Sequence, residues 1–200
     1  MKFKILVIAC ICVVMTLFSF KPNDRTIIVI DAGHGGKDFG AVIGNLKEKD
    51  IVRKFAEHIV KANNDPNIEF FTVGEEDVFI DMDERIKAIN SLNPDVVISL
   101  HVNASPNKEV RGSSIIISPK SENFAKSKVI ANNILNSIPK INNVQNQFIE
   151  QNLKVLNGAN CPALNFQIGY ISNAEDCKMM TSDKEQQKLA GIILENILKQ

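Results

Sequence analysis

Three residues have the types and spacing to do chemistry: His34 in IVIDAGHGG, Glu48 in NLKEKD and His101 in VVISLHVNA. Two imidazoles and a carboxylate, each just past a strand-like apolar run, make a ligand set for Zn2+. A catalytic zinc takes three protein ligands and keeps its fourth position for water or substrate. The three lie 14 and 53 residues apart, so only a tertiary fold can gather them. Alone, each has an ordinary explanation. His34 suits a turn, Glu48 is favoured by the dipole at a helix start, and His101 could be a buried strand-end histidine. The third histidine, His58, follows Glu48 by ten residues on the same predicted helix, about 1000° of rotation at 3.6 residues per turn. That offset leaves the Glu48 face, so His58 reads as a surface residue.

Alternating strand and helix signals from Thr26 onward predict an α/β sheet layered by helices. Thr26–Asp31 reads as a buried first strand ending in Gly33-His34-Gly35-Gly36, where glycine permits a sharp turn. Glu48 to about Asn63 is a predicted helix with Ile51, Val52, Phe55, Ile59 and Val60 on one face. Ile68–Val73 is a second strand. Asp81 caps a helix through Asn90, with Glu84 three positions on. Val96–Leu100 is a third strand delivering His101 at its end. Ser113–Ser118 reads as a strand, Ser121 as the start of a helix to about Asn136, and 139–152 as an exposed connection. Lys154–Leu156 and Ala163–Ile168 read as short strands. A final helix opens with Ser182 and Glu185 and turns Leu189, Ile192, Ile193 and Ile197 inward. In open α/β sheets ligands bind at the C-terminal ends of strands, the rim to which His34 and His101 belong. Asn103 and Ser105 are candidates to line that cleft and bind substrate. Arg85 reads as a helix anchor or the partner of an acid. The stretch between His101 and the last strand is short, which predicts an open cleft.

With 200 residues and 44% hydrophobic content, one domain with a substantial core is expected. The formal net charge is zero, which gives no sign of nucleic acid as a partner. Residues 1–20 differ from the rest. Lys2 and Lys4 precede the apolar run Ile5–Phe20, the layout of an export signal. The run is short for a membrane span, which takes about 20 residues, yet no Ala-x-Ala marks cleavage. Residues 1–20 are therefore a signal peptide or an uncleaved membrane anchor, 21–25 a linker and 26–200 the functional domain. The localisation implied is exported, in the periplasm or cell envelope. Cys161 and Cys177 remain in the exported part, and two unpaired thiols are expected there rather than a disulfide.

Five segments, in order, resemble the zinc-dependent N-acetylmuramoyl-L-alanine amidases of the type-3 group, from about Thr26 to the C-terminus. They are IVIDAGHGGKDFGA, Glu48-Lys49, the run from Asp83-Glu84-Arg85 to Asn90, ISLHVNAS and CPALNFQIGYISN. The resemblance implies a mixed, mostly parallel open sheet with helices on both faces. It implies His34, Glu48 and His101 as Zn2+ ligands and peptidoglycan or its muropeptides as substrate, cut between N-acetylmuramic acid and L-alanine. Thr72-Val73 stands where the family has Thr-Arg, and Asn165 places an amide in an apolar strand. Gln167 stands at the position of the family's catalytic glutamate. Glutamine matches glutamate in shape but is not basic near neutral pH. A base would have to come from elsewhere, with Glu150 and Asp38 the candidates. The alternative is an impaired zinc-binding homologue that binds peptidoglycan or regulates another amidase.

Overall fold

The structure, a computed structural model, describes residues 25–139 and 146–199. The signal or anchor expected at 1–20, and all of the linker but Arg25, lie outside the described residues. Among the described residues no helix is long and apolar enough to cross a membrane.

Six strands form one sheet in the order β4-β1-β5-β8-β6-β7. β1 (Thr26–Ala32), β4 (Ile68–Val73), β5 (Val96–Asn103) and β8 (Ala163–Tyr170) are mutually parallel. β6 (Ser114–Ile117) runs antiparallel to β8, and β7 (Gln147–Glu150) is parallel to β6. The C-terminal ends of the four parallel strands therefore share a rim, while β6 and β7 end at the opposite one. β2 (Val42–Ile43) and β3 (Leu46–Lys47) form a small separate hairpin leading into α1 (Glu48–Ala62). The remaining helices are α2 (Met82–Ser91), α3 (Phe124–Ser137), α4 (Lys154–Gly158), α5 (Ala174–Thr181) and α6 (Asp183–Ile197).

Helices cover both faces, so the central strands are near-continuous apolar runs, as buried parallel strands are. On one face α1, α3 and α6 pack on Ile28, Ile30, Ile98, Leu100, Leu164 and Phe166. Phe55 of α1 meets Phe166 of β8 with ring centroids 6.2 Å apart. On the other face Ile89 of α2 and Val155 and Leu156 of α4 pack on Val29, Val97 and Ala163. Asp81 accepts hydrogen bonds from the Asp83 and Glu84 amides, which starts α2 as expected. Ser182 accepts from the Glu185 amide and starts α6.

Several expectations are corrected. Lys154–Leu156 is not a strand but the first turn of α4, because so short a run, with only Val155 and Leu156 apolar, fits either periodicity and packing decides. The expected connection at 139–152 contains β7, which gains a full parallel ladder on β6. α3 starts at Phe124, and Ser121 instead caps the preceding turn through the Asn123 amide. β5 continues past Leu100, so His101 lies within the strand. His58 is not a surface residue: its side chain is 11% exposed, 3.6 Å from Asp183 at the start of α6. α5 carries no strong periodicity and is started by Asn173, whose side chain accepts from the Glu175 and Asp176 amides. Cys161 and Cys177 are free thiols.

Candidate metal centre

β1 hands the chain to a turn in which His34 takes a left-handed backbone conformation, φ 69°. Such a conformation is uncommon for a side-chain-bearing residue and persists where surroundings over-determine it. Arg85 of α2 supplies that constraint. One guanidinium nitrogen donates to the Asp31 carboxylate and the Ala32 carbonyl, and the other donates to the His34 carbonyl at 2.9 Å. Asp31 also accepts from the Ser99 hydroxyl at 2.7 Å. The expected role of Arg85 as an acid-paired anchor is met, and the element it anchors is the turn that carries His34.

The turn brings His34 against Glu48, the first residue of α1. His34 Nε2 lies 3.0 Å and His101 Nδ1 2.9 Å from the same Glu48 Oε1. One donor atom from each of the three residues falls within 4.8 Å of the others. Glu48 Oε1 also accepts from the Val102 amide and Oε2 from the Ala41 amide, both at 2.8 Å. The packing leaves no room for larger residues. A Cβ on Gly33 would meet the His101 ring at 2.5 Å, and one on Gly40 would meet Glu48 Oε2 at 2.5 Å.

The electrostatics match a cation site. Burial opposes ionisation of Glu48, but the hydrogen bonds from His101 and His34 outweigh it and hold the carboxyl well below the usual carboxylate range. Burial likewise works against charging His34, yet Glu48 and Asp38 prevail and raise it to about 8. Both shifts show that the cluster favours positive charge, which a metal ion would supply. Separations of about 3 Å suit nitrogen and oxygen donors gathered round one ion at about 2.0–2.2 Å each. Asp38 sits 2.8 Å from His34 Nδ1, leaving Nε2 for the ion, the usual support of a ligating histidine. The His34 and His101 side chains keep 20% and 24% exposure, so the group opens to solvent. α3 lies against β6, β7, β8 and α6, in keeping with an open cleft. His34, Glu48 and His101 can thus hold a metal ion.

Gln167 stands beside this group, paired in register with His101 on the neighbouring strand. It is half-buried, and its Nε2 donates to Asn165 Oδ1 at 2.8 Å. Asn103 and Ser105 occupy the same rim. Asn103 Oδ1 accepts from the Ala104 amide, and Ser105 Oγ accepts from the Asn107 amide. Asp38 is close to the donors but already engaged with His34 and the Gly40 amide.

Glu150 is not brought to the group. It pairs with Ile117 on β6, three residues beyond the Ser114–Gln167 pair toward the opposite rim, and β7 lies two strands out from β8. Its carboxylate is exposed and 3.4 Å from Lys128. The reversed direction of β6 and β7 removes it from candidacy as a base. Sequence reasoning missed the bond of Gln167 to Asn165, although the alternation of a strand places residues 165 and 167 on one face.

Comparison with known proteins agrees with this architecture. The family model described as N-acetylmuramoyl-L-alanine amidase matches residues 28–199. The germination-specific N-acetylmuramoyl-L-alanine amidase of Bacillus subtilis is 27% identical over 197 residues, covering 89% of this chain and 81% of that one. The uncharacterised YqiI of the same organism is 26% identical over 178 residues, covering 88% and 85%. The crystal structure of an N-acetylmuramoyl-L-alanine amidase from Clostridium difficile 630 superposes with a TM-score of 0.80 at 26% identity, over 88% of this chain and 96% of that one. The catalytic domain of CwlV from Bacillus (Paenibacillus) polymyxa gives 0.76 at 26% identity, over 86% and 96%. With the match spanning both ends of the sheet and all three donor residues, the chain belongs to the N-acetylmuramoyl-L-alanine amidase family.

Proposed function

We propose that this protein hydrolyses the amide between N-acetylmuramic acid and L-alanine of peptidoglycan, with zinc held by His34, Glu48 and His101. The observation that carries the reading is the convergence of those three donors at the C-terminal rim of the parallel strands in a chain of this family. Bound there, zinc would polarise the scissile carbonyl and make water more acidic. The chain's own residues do the rest. Glu48 remains anionic, Asp38 orients His34, and Arg85 holds the turn. Asn103 and Ser105 line the cleft on the His101 side. The apolar run Ile5–Phe20 supports export to the periplasm or cell envelope, either cleaved or kept as an anchor.

Gln167 sets the limit on this chemistry. It can hydrogen-bond water or a ligand amide but cannot accept a proton at neutral pH. General acid–base catalysis contributes about 10²–10⁴-fold, so positioning and polarisation alone support slow turnover. Gln167 also favours a second reading, in which the domain keeps zinc and the cleft to capture peptidoglycan or regulate an active amidase.

The deciding assay is muropeptide hydrolysis by the zinc-loaded protein beside His34→Ala and Gln167→Glu. Slow wild-type cleavage, abolished by His34→Ala and accelerated by Gln167→Glu, is expected. A silent wild type revived by Gln167→Glu means an intact zinc site without its base, and turns the question to what the cleft captures. Silence in both, with metal bound, sinks the assignment of this cleft to amide hydrolysis.

A further inference from the structure

The face of the sheet that carries His101 is polar near its rim, and the polar side chains fall on two rungs of the strand ladder. The lower rung runs Asp31, Ser99, Asn165 across β1, β5 and β8. The upper rung runs His101, Gln167, Ser114 across β5, β8 and β6. Side chains on one rung lie about 5 Å apart and share a face. The metal group is therefore extended outward along β8 and β6 by neutral hydrogen-bonding groups.

Asn165 and Gln167 are matched to each other. Asn165 is 3% exposed and presents Oδ1 to Gln167 Nε2 at 2.8 Å. The amide of Gln167 supplies the donor that this oxygen accepts. The bond ties down the nitrogen of Gln167 and leaves Oε1 without a hydrogen bond among the described residues. At the end of the upper rung, the Ser114 hydroxyl is buried with no partner among the described residues. An unsatisfied buried hydroxyl is costly, so the polar row is incomplete among the described residues.

We propose that Asn165, Gln167 and Ser114 form a neutral amide-reading array beside the metal ligands, in which Asn165 positions Gln167 so that its Oε1 accepts an N–H of the bound muramoyl peptide. At this position the array binds an amide of the substrate rather than accepting a proton. Ser114, paired in register with Gln167, closes the array at its buried end. This inference rests on the proposed muramoyl-peptide ligand and gives the departures at 165 and 167 a joint role.

The test is binding of a fluorescent N-acetylmuramoyl-L-alanyl peptide to the zinc-loaded full-length protein, with zinc affinity measured in parallel by chelator competition. Gln167→Leu and Asn165→Leu each weaken peptide binding about tenfold, as expected for one lost hydrogen bond. The double variant weakens it no further than Gln167→Leu alone, because Asn165 acts through Gln167. Zinc affinity is the same in all. Asn165→Asp, which keeps an acceptor for Gln167 Nε2, retains wild-type binding. Losses that multiply in the double variant, or a folded Asn165→Asp as weak as Asn165→Leu, overturn the positioning role. Gln167→Leu binding as wild type overturns the array. A wild type that cleaves the peptide while the leucine variants bind unchanged removes this inference and leaves the proposed function standing. A zinc-loaded wild type that neither binds nor cleaves it removes both.

Discussion

Gln167 keeps the length and shape of a glutamate and loses its basicity, so its effect belongs to rate rather than folding. Gln167→Glu is expected to raise turnover of zinc-loaded protein by about 10²–10⁴-fold, with little change in thermal midpoint. A rate within threefold of wild type would mean that the proton is handled elsewhere. Cys161 gives a second prediction at this scale. Burial, and then the Asp95 charge, push its thiol up to about 12 from 9.0. The fold favours the neutral thiol, so its contribution to stability is complete below about pH 9 and is lost as pH rises toward 12. Native protein treated with iodoacetamide at pH 8 is expected to be alkylated at Cys177, which is half-buried, and spared at Cys161. Mass spectrometry showing equal labelling would contradict this placement.

Among the elements, α2 has a structural duty that its short length conceals. It carries Arg85, 4% exposed, against Asp31, 1% exposed, and thereby fixes the turn holding His34. Removing one partner of a buried ion pair leaves the other uncompensated and costs about 3–5 kcal/mol. Arg85→Leu is therefore expected to lose about that much in urea unfolding and to weaken zinc binding as the turn relaxes. Adding Asp31→Asn to it removes the stranded charge and recovers part of the loss. A fully additive double variant would show that the pair does not act as a unit. α1 acts in the same way from the other face, seating Phe55 and Ile59 in the core while its first residue, Glu48, meets His34 and His101.

For the whole molecule, the donors come from three separated elements, so metal binding and folding are linked. An ion bound only by the folded state stabilises it by about 2.7 kcal/mol at a hundredfold excess over Kd. Calorimetry is expected to show a higher thermal midpoint with zinc, and no zinc response in the His34→Ala/His101→Ala variant. A zinc response that survives that change would place the ion elsewhere.

The α/β class, the boundaries of α1, α2 and α6 and the three residues gathered at the rim, His34, Glu48 and His101, were legible in the chain. Their signals are local: β-branched runs, 3.6-residue periodicity, capping residues at Asp81 and Ser182, and motif residues at strand ends. Gln167 was legible too, since the strand alternation and the flanking motif mark its position. What the chain alone left open depends on strand direction and packing. No local signal says that β6 and β7 run against β8, and that direction alone carries Glu150 to the far rim, away from His34, Glu48 and His101. The apolar pair Val155-Leu156 of α4 had no period of its own, and its contact with the sheet made it a helix. The pairing of Arg85 with Asp31 across 54 residues, and the rung that joins His101, Gln167 and Ser114, exist only once the ladder is formed. Local propensity determined which pieces this protein is made of, and long-range register decided which side chains meet.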